Sequence, residues 1–154
     1  MTGLTAAGPI LWDFSGVTFS DGGSASGSFI YDADTNTYSS INLTTTMGTS
    51  LPGAIYSFVS SGIPADATEV LFAADSPQFA GSAAIAFFYS FPLDDTGGVR
   101  SFFSGQEAYC SDASCFAPEP PARFVTNGSV VAVPEPGSIL LAGFGALVVW
   151  WRRR

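Results

Sequence analysis

Between Ile10 and Val133 apolar residues recur at every second position, in short runs broken by glycine, proline, asparagine and aspartate. That spacing belongs to half-buried strands, whose side chains alternate between two faces. Trp12 and Phe14 flank Asp13, and after a break at Gly16, Val17 and Phe19 flank Thr18. Asp21-Gly22-Gly23 reads as a turn, and Ser28 to Tyr31 with Tyr38 to Thr46 as a hairpin across Asp32–Thr37. Ala54 to Val59 and Glu69 to Ala73 are further strands. Ala84 to Phe91 is the strongest, with Ile85, Phe87, Tyr89 and Phe91 on one face. Asp94-Asp95-Thr96-Gly97-Gly98 turns the chain into Val99 to Ser104. Arg123 to Thr126 and Ser129 to Val133 flank Asn127-Gly128, the pair favoured in a type I′ hairpin turn. No window of this region has helical periodicity. Eight or nine short strands with frequent turns predict an all-β domain over residues 10–133, a β-sandwich or jelly-roll-like ectodomain.

At residue 134 the pattern changes. Pro134-Glu135-Pro136 is followed by Gly137 to Trp151, 15 residues without a charge and with Ser138 alone polar, and then by Arg152-Arg153-Arg154. The two prolines lack an N–H and restrict their neighbours, so the tripeptide reads as extended. The apolar run predicts a short transmembrane helix over 137–151, about 22 Å long against a hydrocarbon core of about 30 Å. Snorkelling arginine stems, local thinning of the bilayer and interfacial Trp150 and Trp151 make up the difference. Arg152, Arg153 and Arg154 should stay cytoplasmic, which places the preceding residues outside.

In this order, at the end of the chain, the three features resemble the PEP-CTERM sorting signal of bacterial surface proteins. The resemblance covers about 21 residues, 134–154. It implies that an exosortase recognises Pro134, Glu135 and Pro136 and cleaves near them, so that the membrane anchor is transient. It also implies a structural or adhesive role at the cell surface, in association with exopolysaccharide or biofilm matrix. Pro118-Glu119-Pro120 repeats the tripeptide, but Pro121-Ala122-Arg123 follows it instead of an apolar run. Export requires a leader, and residues 1–9 have neither a basic n-region nor an apolar core. Ala6-Ala7-Gly8-Pro9 is similar to the small residues around a cleavage site, so residues 1–9 read as the remnant of a signal peptide lying upstream.

Composition narrows what the domain can do. Up to Glu135 there are thirteen acidic residues against Arg100 and Arg123, and no lysine. A surface of this sign excludes nucleic acid, which is held by neutralising phosphates. Charged residues make up 12% of the chain, and Ser, Thr, Gly and Asn carry much of its polarity.

Candidate chemistry is sparse. The chain has no histidine, which removes the commonest general base and the usual partner of a serine or cysteine nucleophile. Asp94 and Asp95 are adjacent in a glycine-rich turn and read as turn formers. Asp32, Asp34 and Asn36 imitate the first ligands of a calcium loop, but Thr37 and Leu43 stand where glycine and glutamate are required. We therefore expect no metal site, no cofactor and no enzymatic activity. Cys110 and Cys115 are spaced to close a small disulfide loop through Ser111, Asp112 and Ser114, and the alternative is two free thiols. Two other readings of the domain are a secreted carbohydrate-binding module with aromatic and Asp/Asn contacts, and a secreted hydrolase with two converging carboxylates.

Overall fold

In a computed structural model, residues 8–61, 65–75, 77, 81–110 and 119–133 are described. They form nine strands and no helix: β1 (Ile10–Phe19), β2 (Ser24–Asp32), β3 (Thr37–Thr45), β4 (Ile55–Tyr56), β5 (Phe58–Val59), β6 (Glu69–Ala73), β7 (Ser82–Tyr89), β8 (Val99–Cys110) and β9 (Glu119–Val133). The all-β expectation is met. The strands lie in one antiparallel sheet of order β4-β3-β2-β1-β9-β8-β7-β6-β5.

That order is a meander whose two ends nearly meet. Chain neighbours pair except at β4 and β5, and β1 also pairs with β9, from Leu11↔Val133 to Phe19↔Val125. The outermost strands β4 and β5 are separated in sequence by Ser57 alone. Tyr56 pairs with Leu43 of β3, whereas Phe58 pairs with Ala73 of β6. Ser57 donates its N–H to Ala73 at 3.2 Å. The stretch that reads as one strand from Ala54 to Val59 is thus a corner, leaving β3 for β6 and curling the sheet into a barrel with little free edge. The two layers of a sandwich are present as opposite walls of this single sheet.

Aromatic residues fill the interior. Phe14 and Phe29 of one wall meet Phe72 and Phe87 of the other, with ring centroids 5.0–6.5 Å apart. Trp12, Leu43, Tyr56, Ile85 and Val130 are fully buried with them. Each such side chain contributes about 1.5–3 kcal/mol by leaving water. A smaller cluster (Leu71, Ala73, Ala84 and Cys110) lies apart from this core, at positions that alternate with the inward-facing Val70, Phe72 and Ile85.

Two sequence expectations change in detail. Phe91 leaves the row of Ile85, Phe87 and Tyr89: β7 ends at Tyr89, and Phe91 is 70% exposed while Leu93 takes the core position. Asn127-Gly128 is no hairpin turn, because β9 runs unbroken through it. Gly16 (φ 62°) bulges β1 by one residue against both neighbours, and Gly128 (φ 133°) lies across from the bulge.

Candidate functional site

The sorting segment begins where the barrel stops. Val133, the last residue of β9, is still paired with Leu11 of β1, and Val131 is paired with both Asp13 of β1 and Val99 of β8. Pro134, Glu135, Pro136, Trp150, Trp151, Arg152, Arg153 and Arg154 lie outside the described residues, as do the expected helix 137–151 and residues 1–7. Strand directions put the end of β9 on the same rim as the start of β1, the β2–β3 turn, the segment before β6 and the β7–β8 turn.

Carboxylates organise each of these rim turns. Asp32 Oδ1 accepts from the N–H groups of Asp34 (3.0 Å) and Thr35 (3.2 Å). Asn36, at φ 52°, accepts from the Tyr31 hydroxyl at 2.7 Å. The would-be calcium ligands are thereby engaged in turn bonds. Asp66 Oδ1 accepts from the hydroxyl and N–H of Thr68 and from the N–H of Glu69; the Thr68 bonds hold its pKa below the usual value. Asp94 accepts from the Thr96 hydroxyl (2.6 Å) and from Arg100 Nη2 (2.9 Å), and its pKa is lowered, with the Thr96 hydroxyl as the largest cause. Arg100 also donates to the Pro92 carbonyl and lies over the Trp12 ring. Asp94 therefore serves its turn, and its carboxylate has no partner carboxylate in these bonds.

At the opposite rim lies a charged cluster that strand reading did not find. Arg123, Glu107 and Asp21 have side chains 0%, 1% and 3% exposed. Arg123 Nε and Nη2 approach Glu107 Oε2 at 2.9 and 2.8 Å. Its Nη1 donates to the Thr46 carbonyl at 2.9 Å and lies 3.4 Å from both Asp21 oxygens. Glu107 Oε1 accepts from the Tyr56 hydroxyl (2.8 Å) and from Thr45 (3.1 Å). Asp21 accepts in addition from the N–H groups of Gly23, Ser50 and Leu51. Burial pushes the Asp21 pKa up, but these donors and the guanidinium outweigh it and the net shift is downward. Gly23 leaves the space for Arg123: a Cβ there would stand 2.2 Å from Nη1. Two carboxylates do converge in this protein, but on a buried arginine and not in an open cleft. The available signal was weak: one of two arginines among the first 135 residues, set in an apolar strand.

Cys110 is buried at the end of β8 and disulfide-bonded, while Cys115 lies outside the described residues. Between β8 and β9 the ladder is bridged at Ser101↔Ser129 and again at Gln106↔Phe124, and the strands are unpaired between. A cavity of about 180 Å³ lies along this gap, lined by Ser101, Phe102, Phe103, Ser104, Val125, Thr126, Asn127 and Gly128. Phe103 and Phe124 are exposed beside it. Among the described residues no group of three histidine, cysteine or carboxylate side chains could hold a metal. No helix there is long and apolar enough to cross a membrane.

Comparison with known proteins bears on the tail. Residues 132–154 match the family model described as the PEP-CTERM protein-sorting motif, a match that begins inside β9 at Ala132. No curated protein and no solved structure matches the chain. With that motif at residues 132–154, the chain is a PEP-CTERM sorting domain-containing protein, exported and targeted to an exosortase.

Proposed function

We propose that this protein is a non-catalytic surface component: a β-barrel carried outside the cell on a temporary membrane anchor, cleaved near Pro134-Glu135-Pro136 and then held in the exopolysaccharide matrix. The observation that carries this reading is the position of the sorting motif. It follows a strand paired on both sides, so cleavage after Val133 spares the full pairing of β9. A structural role is supported by how the polar chemistry is used. Asp21 and Glu107 are paired with Arg123 in the interior, and Asp32, Asp66 and Asp94 are engaged in turns. A matrix of neutral sugars would find hydroxyl and aromatic groups at the cavity between β8 and β9, beside Phe103. The anchor itself supplies a test. In cells with an active exosortase, Glu135→Ala should accumulate as an uncleaved, membrane-retained form, while the native protein appears processed in the polysaccharide fraction. Normal cleavage of the variant would refute the assigned recognition. Native protein that is cleaved but absent from the polysaccharide fraction would refute the matrix role.

A further inference from the structure

Covalent geometry limits how far the barrel can stand from the bilayer while the anchor is in place. Three residues, Pro134 to Pro136, separate Val133 from the apolar run, and they span at most about 10–11 Å. On the reading above, in which residues 137–151 sit in the bilayer, the rim at which β9 ends therefore remains close to the lipid headgroups. That rim is not uniform. Leu11 pairs with Ile30 on one side and with Val133 on the other, so the three share one row of the sheet. The row lies on the outer face, since Leu11 alternates with the buried Trp12. One pair further in, Val131 faces Val99. Leu11 is 36% exposed, Val99 58%, and Phe91, just beyond β7, 70%. An apolar collar of Ile30, Leu11, Val133, Val131 and Val99 thus runs along the β2-β1-β9-β8 side of the rim, with Asp13 beside it on the same face and Phe91 exposed in the β7–β8 turn of that rim.

The remainder of the same rim is acidic, with Asp32 and Asp34 in the β2–β3 turn and Asp66 before β6. Asp94 borders the collar but is paired with Arg100 at 2.9 Å, which leaves Asp95 and Asp13 as its charges without an ion pair among the described residues. A contiguous apolar surface beside an acidic one, held within reach of a membrane, has a preferred orientation on it.

We propose that the anchored barrel lies tilted on the bilayer, with the collar of Leu11, Phe91, Val99 and Val133 against the lipid interface and the Asp32–Asn36 turn raised into solvent. The occupant of this surface is lipid. The short tether and the collar together bring it there, and the contact precedes any cleavage. The tilt would leave Pro134-Glu135-Pro136 pinned at the membrane surface.

The test uses the full chain reconstituted in nanodiscs of phosphatidylethanolamine and phosphatidylglycerol carrying a gadolinium-chelating headgroup lipid, observed by amide NMR without exosortase. Paramagnetic broadening should remove the signals of Leu11, Val99 and Ala132 first and spare those of Asp34 and Thr35 on the same rim. In Phe91→Ser/Val99→Ser, which changes only exposed positions, this asymmetry should disappear and both sides broaden alike, as expected for a barrel swinging on its tether. Equal broadening around the rim of the native protein would overturn the proposal, as would asymmetry that survives the double serine variant. Asymmetry that appears only once an exosortase is added would also overturn it and assign the collar to the enzyme. Because no cleavage is measured, failure here is distinct from failure of exosortase recognition.

Discussion

Arg123 is the residue on which the rim away from the anchor depends. It holds two carboxylates and the Thr46 carbonyl in the barrel interior, and its guanidinium lies 4.3 Å over the Phe19 ring. Removing one member of a buried ion network leaves the others unpaired, at a cost of about 3–5 kcal/mol. Arg123→Met should therefore lose about that much stability in urea denaturation, because Asp21 and Glu107 would then share a dry site without a cation. Asp21 adds a pH dependence. Its pKa is lowered from 3.8 in the folded state. Its contribution is complete above that value and is lost as the pH falls through the lower, folded one. Asp21→Asn should flatten the acid limb of a stability–pH curve while lowering the plateau at neutral pH; an unchanged acid limb would assign the acid loss to other carboxylates. Little of this cluster was legible in the sequence. The rim turns were, since Asp21-Gly22-Gly23 and Asp94–Gly98 carry their turn chemistry within a few residues. The partners of Arg123 come from three distant segments, and no local pattern joins them.

At the scale of elements, alternation located the strands well, because a strand's inward row must be apolar whatever it pairs with. What alternation did not reveal was the use made of glycine. Asn127-Gly128 carries the local signature of a hairpin turn, yet its neighbours Thr18 and Ser15 of β1 continue to pair through Asn127 and Ser129. Gly128 is needed there for close approach. A Cβ would stand 2.8 Å from Val17 Cα, at a φ of 133° that side chains rarely adopt. Gly128→Ala should destabilise the barrel by more than about 1 kcal/mol, read from the shift in urea midpoint at unchanged slope. An Asn127-Gly128 hairpin turn would also resist alanine, so the distinguishing variant is Asn127→Thr. A β-branched residue is unsuited to the left-handed turn but ordinary in an extended strand, and here it should cost far less than Gly128→Ala. In the same way Ala54 to Val59 reads as one strand because its pattern is continuous, and only the change of partner at Ser57 makes it a corner.

For the whole molecule, the decisive fact is the pairing of the first strand with the last. Residues 10–19 and 125–133 are distant in sequence and meet along most of their length. Nothing local announces this, which is why the sequence supports an all-β domain but not the closure of its sheet. The closure bears on what a sorting protease may cut. A chain shortened to end at Val133 keeps every pair β9 makes with β1 and β8, whereas one ending at Thr126 loses Leu11↔Val133 through Thr18↔Asn127 and the Val99–Ser101 pairs as well. The second chain also loses Val130, which is fully buried in the core. It would leave the N-terminal half of β1 and the start of β8 as open edges. The chain ending at Val133 should unfold in one cooperative thermal transition by circular dichroism, and the chain ending at Thr126 should show none. Cooperative melting of both would mean that the last seven residues of β9 do not hold the barrel closed, and cleavage then would not need to fall beyond them. Loss of cooperativity in both would make residues 134–154 part of the folded unit, and an exosortase would then destabilise the protein in releasing it.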